Sequence, residues 1–317
     1  MSEEQKIEPV EGEPQQHEAI HASDEAVERE MRRHSRRSFL WAAAATAAGL
    51  SGWRWLVTRR EDDGLPWPLR RALEINEQLA RDYYRGSRLA PTFPRERARE
   101  PRENGDIGLD AAVDLTAWRL KVTGLSPATL AEHRQPDSDQ KNVEKKSGDD
   151  QSADDQAKES SDGQAALMKL TLAQIRALPR VEMVTELKCI EGWSEVVHWT
   201  GARFADFINV YRPATLSGNL SDPPQRPEDL VRYVSLATED GGYYVGLEME
   251  SAMHPQTLLC YEMNGLPLTP EHGAPLRLVI PVKYGIKNIK SIGTIRFTNQ
   301  RPADYWAERG YDWYAGH

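Results

Sequence analysis

The stretch Val184-Thr-Glu-Leu-Lys-Cys-Ile-Glu-Gly-Trp-Ser194 decides how this chain is read. The run up to Lys188 is β-like and charged, with Glu186 and Lys188 in it. A Gly-Trp turn then follows Cys189 and Glu191, so the strand delivers a thiol and a carboxylate to its end. A lone cysteine there is either a small core residue or a soft ligand. The rest of the chain has to decide between the two.

Only one other cysteine exists, Cys260. Two cysteines exclude a four-cysteine zinc site and a multi-bridge disulfide framework, leaving at most one disulfide. Cys260 lies in the apolar run Thr257-Leu-Leu-Cys-Tyr and reads as core. The formal net charge of −9 gives no basic face for phosphate neutralisation, so no nucleic-acid partner is expected. No phosphate-binding glycine loop and no H-E-x-x-H motif occurs.

Upstream, residues 1–34 are acidic and polar without apolar period and read as a disordered extension. Residues 35–58 begin Ser35-Arg-Arg-Ser-Phe-Leu40 and continue into an Ala-rich run. Arg36 and Arg37 before a short apolar stretch form a twin-arginine export signal, or an anchor if it is retained. Export through the twin-arginine machinery to the periplasm is expected. Residues 59–103 are basic and proline-marked, an arm with one helix over 69–84.

Residues 104–317 form the main domain, interrupted by 131–165. That insertion holds ten acidic and five basic residues and almost no large aliphatics, so it cannot bury enough surface to order itself. Thr171 caps a short helix with Leu172, Ile175 and Leu178 on its apolar face. Strands are expected at 117–124, 181–190, 196–199, 231–238, 243–248, 257–263, 276–282 and 292–298, and short helices at 203–211 and 248–253. Strands dominate without βαβ alternation, which makes the class α+β with mixed sheets.

The other chemical signal is His272-Gly-Ala-Pro-Leu-Arg277 running to Lys290-Ser-Ile292. Arg277, Lys283, Lys287 and Lys290 interrupt apolar segments. Buried cations need anionic partners, and a phosphate-bearing ligand would supply one. The alternative is solvated lysines and an internal salt bridge. A single thiolate beside an anion cradle suggests a phosphorylated, metal-chelating cofactor.

Four stretches, Cys189 to Ser194, Ala252 to Leu258, Tyr261 to Leu268 and His272 to Ile292, resemble the molybdopterin domain of the sulfite oxidase family. The resemblance covers roughly 104–317 less the insertion, and is nearest to the sulfoxide-reducing branch. It implies a sulfite-oxidase-like fold and a molybdenum–molybdopterin cofactor with Cys189 as the protein's metal ligand. It assigns Glu191 as a catalytic acid near the metal. Asn104, Thr238, His272, Arg277, Asn288, Ile289 and Lys290 become cofactor contacts.

It also implies oxygen-atom transfer, reducing a sulfoxide with electrons from a separate haem-bearing membrane subunit. The C-terminal immunoglobulin-like dimerisation domain of the sulfite oxidases is not expected. Glu191 stands where sulfite oxidases place basic residues, and disfavours a dianion. Oxidation of sulfite, or an inactive exported binding module, are the alternatives.

Overall fold

A computed structural model describes residues 38–62, 65–83, 88–103, 105–109, 113–133 and 166–317. The acidic extension, Arg36, Arg37, Asn104 and nearly all of the insertion lie outside the described residues. The chain divides into two units, residues 1–61 with 66–68, and residues 62–65 with 69–317.

The described part of the first unit is mainly helix α1, residues 38–57, with Phe39, Trp41 and Trp53 exposed. The Arg59 guanidinium stacks 4.5 Å from the Trp55 ring and donates to the Trp55 carbonyl at 3.1 Å. No helix of the described residues is long and apolar enough to cross a membrane.

The second unit carries the sheets. After two-residue strands β1 (Glu61–Asp62) and β2 (Leu65–Pro66) comes helix α2 (Trp67–Tyr83), within one residue of the helix expected from sequence at its C-terminal end. Strand β3 (Leu120–Thr123), helix α3 (Pro127–Glu132), strand β4 (Met168–Leu170) and helix α4 (Leu172–Arg176) follow. Thr171 and Gln174 form a reciprocal capping box on α4, which is why so short a helix holds its position. Strands β5 (Arg180–Lys188) and β6 (Ser194–Arg203) are long partners, succeeded by α5 (Phe204–Val210), β7 (Tyr233–Thr238), β8 (Tyr244–Glu248) and α6 (Met249–Ala252). The chain continues through β9 (Leu258–Met263), β10 (Leu266–Pro267), β11 (Arg277–Val279) and β12 (Ile292–Thr298).

One sheet has the order β10-β9-β6-β5, with β11 also on β9, and its pairings are antiparallel. The other has the order β4-β3-β12-β7-β8 and is mixed, because β12 runs parallel to β3. The run 276–282, expected as one strand, pairs only over Arg277–Val279. Pro281 has no N–H for a ladder, so the segment leaves the sheet there.

Burial patterns distinguish the strands. β7 alternates, with Val234, Leu236 and Thr238 inside, as a strand with one wet face must. β9 and β11 are buried almost throughout. Arg277 opens β11 directly opposite Cys260 of β9, so the register carries a guanidinium into the interior. Cys260 itself is fully buried beside Trp199, Leu258 and Val279, as its apolar context suggests. Gly201 is required where β6 crosses β9, since a Cβ there would lie 2.3 Å from the Leu259 carbonyl oxygen. Neither cysteine forms a disulfide.

Candidate active site

The β5–β6 hairpin builds the first wall. Lys188 pairs with Ser194, leaving Cys189 to Trp193 as its loop. Cys189 N–H donates to the Trp193 carbonyl at 2.9 Å, Gly192 N–H donates to the Cys189 carbonyl at 3.1 Å, and Gly192 takes φ +90°. A side chain is strained at that angle, which accounts for glycine here. The closed turn brings three functional groups together. Glu191 Oε2 accepts from Trp193 Nε1 at 3.1 Å and lies 3.8 Å from Cys189 Sγ. Partial burial, aided by the Glu191 carboxylate, pushes the Cys189 thiol above its ordinary value. A cation held at the sulfur would reverse that balance and favour thiolate.

Cys189 and Glu191 line a cavity of about 220 Å3, together with Arg277, Asn288, Ile289 and Lys290. Arg277 is 3% exposed. Its Nη1 donates to the His272 carbonyl at 2.9 Å and its Nη2 reaches the Asn288 carbonyl at 3.5 Å, while Nε has no hydrogen-bond partner among the described residues. The guanidinium carbon sits 4.9 Å from the Trp199 ring. Burial lowers its pKa to about 10, with the Cys260 thiol the one opposing influence. A buried guanidinium beside a cavity, with one buried N–H lacking a partner among the described residues, has the chemistry to hold an anion. Lys290 stands at the same cavity, lowered to about 8 by burial and then by Arg277, with Nζ 3.2 Å from the Gly105 carbonyl.

The other lysines depart from the expected cradle. Lys287 pairs with Asp304 at 2.5 Å and Lys283 with Glu248 at 3.2 Å, both lysines being almost fully buried. They are structural cations with carboxylates of their own. The sequence could not reveal this, because Glu248 and Asp304 lie on distant segments.

Asn288 borders the cavity, but its side chain is committed to backbone: Oδ1 accepts from Ile280 N–H at 2.8 Å and Nδ2 donates to the Tyr284 carbonyl at 3.2 Å. It shapes the turn that presents Ile289 and Lys290. His272 and Thr238 are buried outside the cavity lining. His272 Nε2 is 3.7 Å from Glu100 Oε1, too long for a hydrogen bond, and burial with Arg277 and Lys290 lowers its pKa, so this contact is not an ion pair. Its carbonyl accepts from Arg277, and its buried Nε2 has no hydrogen-bond partner among the described residues. The Thr238 hydroxyl donates to Asp240 at 2.5 Å and accepts from Tyr243 N–H at 3.1 Å, closing the β7–β8 turn.

An aromatic wall formed by Trp193, Tyr243, Trp306 and Tyr311 escapes the sequence reading. Tyr243 donates its hydroxyl to the Ile286 carbonyl at 2.6 Å, and burial, then Asp304, raises its pKa. Trp306 and Tyr311 pack edge to face at 5.1 Å. The only available hint is the density of aromatics in Tyr305-Trp-Ala-Glu-Arg-Gly-Tyr311.

These residues fit a molybdopterin: one soft sulfur donor and, lining the same cavity, a buried cation whose Nε lacks a partner among the described residues. Comparison with known proteins agrees. Residues 160–306 match the oxidoreductase molybdopterin binding domain family. The protein-methionine-sulfoxide reductase catalytic subunit MsrP of Xanthomonas campestris is 40% identical over 137 residues, covering 42% of this chain and 41% of that protein. The putative protein-methionine-sulfoxide reductase subunit YedZ1 of Azospira oryzae is 35% identical over 146 residues, covering 46% and 50%. The alignments thus span about half, or less, of each relative's length. The sulfane dehydrogenase SoxCD of Paracoccus pantotrophus is similar over 68% of this chain and 46% of its own, at 14% identity and a TM-score of 0.41. The matched segment, residues 160–306, includes Cys189, Glu191, Arg277 and Lys290 and is what this chain shares with the oxidoreductase molybdopterin binding domain.

Proposed function

We propose that the chain is a molybdenum-dependent oxidoreductase that reduces a sulfoxide to a thioether by oxygen-atom transfer. One observation carries this reading: Cys189, Glu191 and Arg277 all face one cavity. Cys189 ligates the metal through Sγ. Arg277 and Lys290 would hold the anionic end of the pterin, with the turn at Asn288 and Ile289 setting their position. Asn104 is a further pterin contact. Thr238 and His272 support the site from behind, Thr238 through its turn and His272 through its carbonyl. The bound group supplies two-electron oxygen-atom transfer.

Glu191 favours a neutral substrate, because a carboxylate this near the sulfur repels a sulfite dianion. Reducing a sulfoxide consumes two electrons and two protons and yields a thioether and water. Glu191 is placed to pass a proton at Oε2, and Trp193 holds that oxygen in place. The aromatic wall suits an apolar thioether. The names of the relatives, which are methionine-sulfoxide reductase subunits, favour a methionine sulfoxide. Electrons come from a separate haem-bearing membrane subunit, and the twin-arginine signal delivers the folded protein to the periplasm.

The test is metal and pterin analysis of exported protein, followed by assays with a reduced viologen dye and methionine sulfoxide, and with sulfite and ferricyanide. Molybdenum with dye-linked sulfoxide reduction is the expected result. Sulfite oxidation without sulfoxide reduction would reverse the proposed direction, and a chain without molybdenum would make it a binding module.

A further inference from the structure

We infer that α2 braces the aromatic wall of the cavity, and that Arg70 is a positioning residue for sulfoxide recognition, acting through Trp306. The inference rests on the sulfoxide reading of that cavity. An ordinary surface helix packs through an apolar stripe. The packed side of α2 is charged instead. Arg70 is 4% exposed, and its Nη2 donates to the Ala307 carbonyl at 2.8 Å while its Nε donates to the Asp62 carbonyl at 3.3 Å. Glu77, also buried, receives Arg301 and Arg81 at 2.7 Å each, and Arg81 reaches Glu248 at 2.8 Å. Ile75 and Leu79 of the same helix stay exposed.

These anchors hold one segment. Arg301 opens it, and its guanidinium also stacks 4.5 Å from the Trp313 ring. Ala307 follows Trp306 directly and begins the short 3-10 turn Ala307–Arg309. Gly310 ends that turn at φ +94°, where a Cβ would stand 3.3 Å from Leu65 Cδ2 of β2. Tyr311 N–H then donates to the Trp306 carbonyl at 3.0 Å. Trp306 and Tyr311, the two rings this turn presents, both line the cavity. The arm therefore grips the turn at Ala307 and at Gly310, next to each of the two rings.

Direction is what a polar brace adds. Apolar contacts slide at little cost, whereas a hydrogen bond to a carbonyl holds its partners within about 2.7–3.2 Å and near a fixed angle. A ring that recognises a thioether sulfur has to stand about 5 Å from it, so a small displacement of Trp306 changes the contact. Asp304 ties the same turn to the interior, its Oδ1 accepting from Ala307 N–H at 3.1 Å and its Oδ2 pairing with Lys287. The wall is thus set by two holds, one from the core and one from the arm. Losing the arm's hold leaves the Ala307 carbonyl its Gly310 N–H partner at 3.1 Å, so the turn stays formed while its link to α2 is gone.

The test uses the full chain, loaded with molybdenum and grown with fluorotryptophan. The fluorine NMR signal of position 306 is the one that Trp306→Phe removes. In Arg70→Met that signal should shift, and Arg70→Lys, which keeps a cation and a donor, should return it toward the parent position. Glu77→Gln, which weakens the hold on Arg301, should move the same signal and carries the test if Arg70→Met does not fold. With a reduced viologen dye and methionine sulfoxide, Arg70→Met should raise KM about two- to tenfold, the range of one sulfur–aromatic contact. Molybdenum content and kcat per molybdenum should stay unchanged. In a Trp306→Ala chain the added Arg70→Met should raise KM no further. Arg71→Met, on the exposed side of α2, should change none of these. An unmoved signal in Arg70→Met would overturn the brace, as would a KM rise that multiplies with that of Trp306→Ala. A loss of molybdenum that tracks the loss of activity would also overturn it, making Arg70 a stability residue. A moved signal with unchanged KM would keep the brace and overturn its role in sulfoxide recognition. A parent chain without sulfoxide turnover would refute the sulfoxide reading, and the fluorine signals would then decide the brace by themselves.

Discussion

Lys287 Nζ lies 2.5 Å from Asp304 Oδ2 in the protein interior, with the Trp313 ring 4.6 Å from the same nitrogen. The lysine also donates to the Gly246 carbonyl at 2.9 Å. This pair fastens the turn before the cavity to the segment that carries the aromatic wall. Position in sequence places Lys287 beside Lys290, yet the two have different duties.

Lys287→Met or Asp304→Asn should therefore act on stability. Either change leaves one buried charge uncompensated, at a cost of about 3–5 kcal/mol. Denaturant unfolding should show that loss, while molybdenum per folded chain stays near the parent value. The double change Lys287→Met with Asp304→Leu should recover much of it, because the unpaired charge is gone.

Arg277→Ala should lower cofactor occupancy. A hydrogen bond to a charged group contributes about 1.5–3 kcal/mol, or roughly ten- to a hundredfold in affinity. Turnover per bound molybdenum should fall much less. Full occupancy with no turnover would instead place Arg277 at the substrate.

Glu191→Gln should show the opposite pattern. The glutamine carbonyl still accepts from Trp193, so the loop keeps its shape, but the acid is gone. Occupancy should hold while kcat falls about a hundredfold, the usual scale of proton-transfer assistance. Cys189→Ser should abolish turnover, and Cys260→Ala should leave turnover per molybdenum unchanged, because Cys260 is buried in the core and does not line the cavity.

Cofactor retention should depend on pH through Lys290, whose pKa is lowered to about 8. The lysine is half charged at that value, so its attraction for an anion is complete only well below pH 8 and is lost as pH rises through it. The bound anion itself favours the charged form and moves the loss to higher pH. Molybdenum retention after dialysis should fall between about pH 8 and 10. In Lys290→Arg the fall should be absent over that range, because arginine stays charged.

Much of this protein is legible without coordinates. The β-like run expected at 181–190 and the Gly-Trp turn after it point to β5 and to a turn beside Cys189 and Glu191, because both signals are local. The Thr171 cap is local in the same way. Arg277 is legible as a cation in an apolar run, and the fold adds that β11 lies opposite β9, which buries it.

What the tertiary structure alone decided was the division of labour among similar residues. Lys283 and Lys287 find Glu248 and Asp304, and Lys290 faces the cavity, although all three share one short segment. The side chains of Asn288 and Thr238 are taken by backbone and turn, while Trp193, Tyr243, Trp306 and Tyr311 converge from three separate segments. On α2, Glu77 pairs with Arg301 and Arg81 with Glu248, partners that lie far along the chain, in the segment after β12 and at the end of β8. The physical reason is common to all of these: a charge or hydrogen-bonding group is satisfied by whatever reaches it within about 3 Å, and that partner is set by folding rather than by sequence neighbourhood.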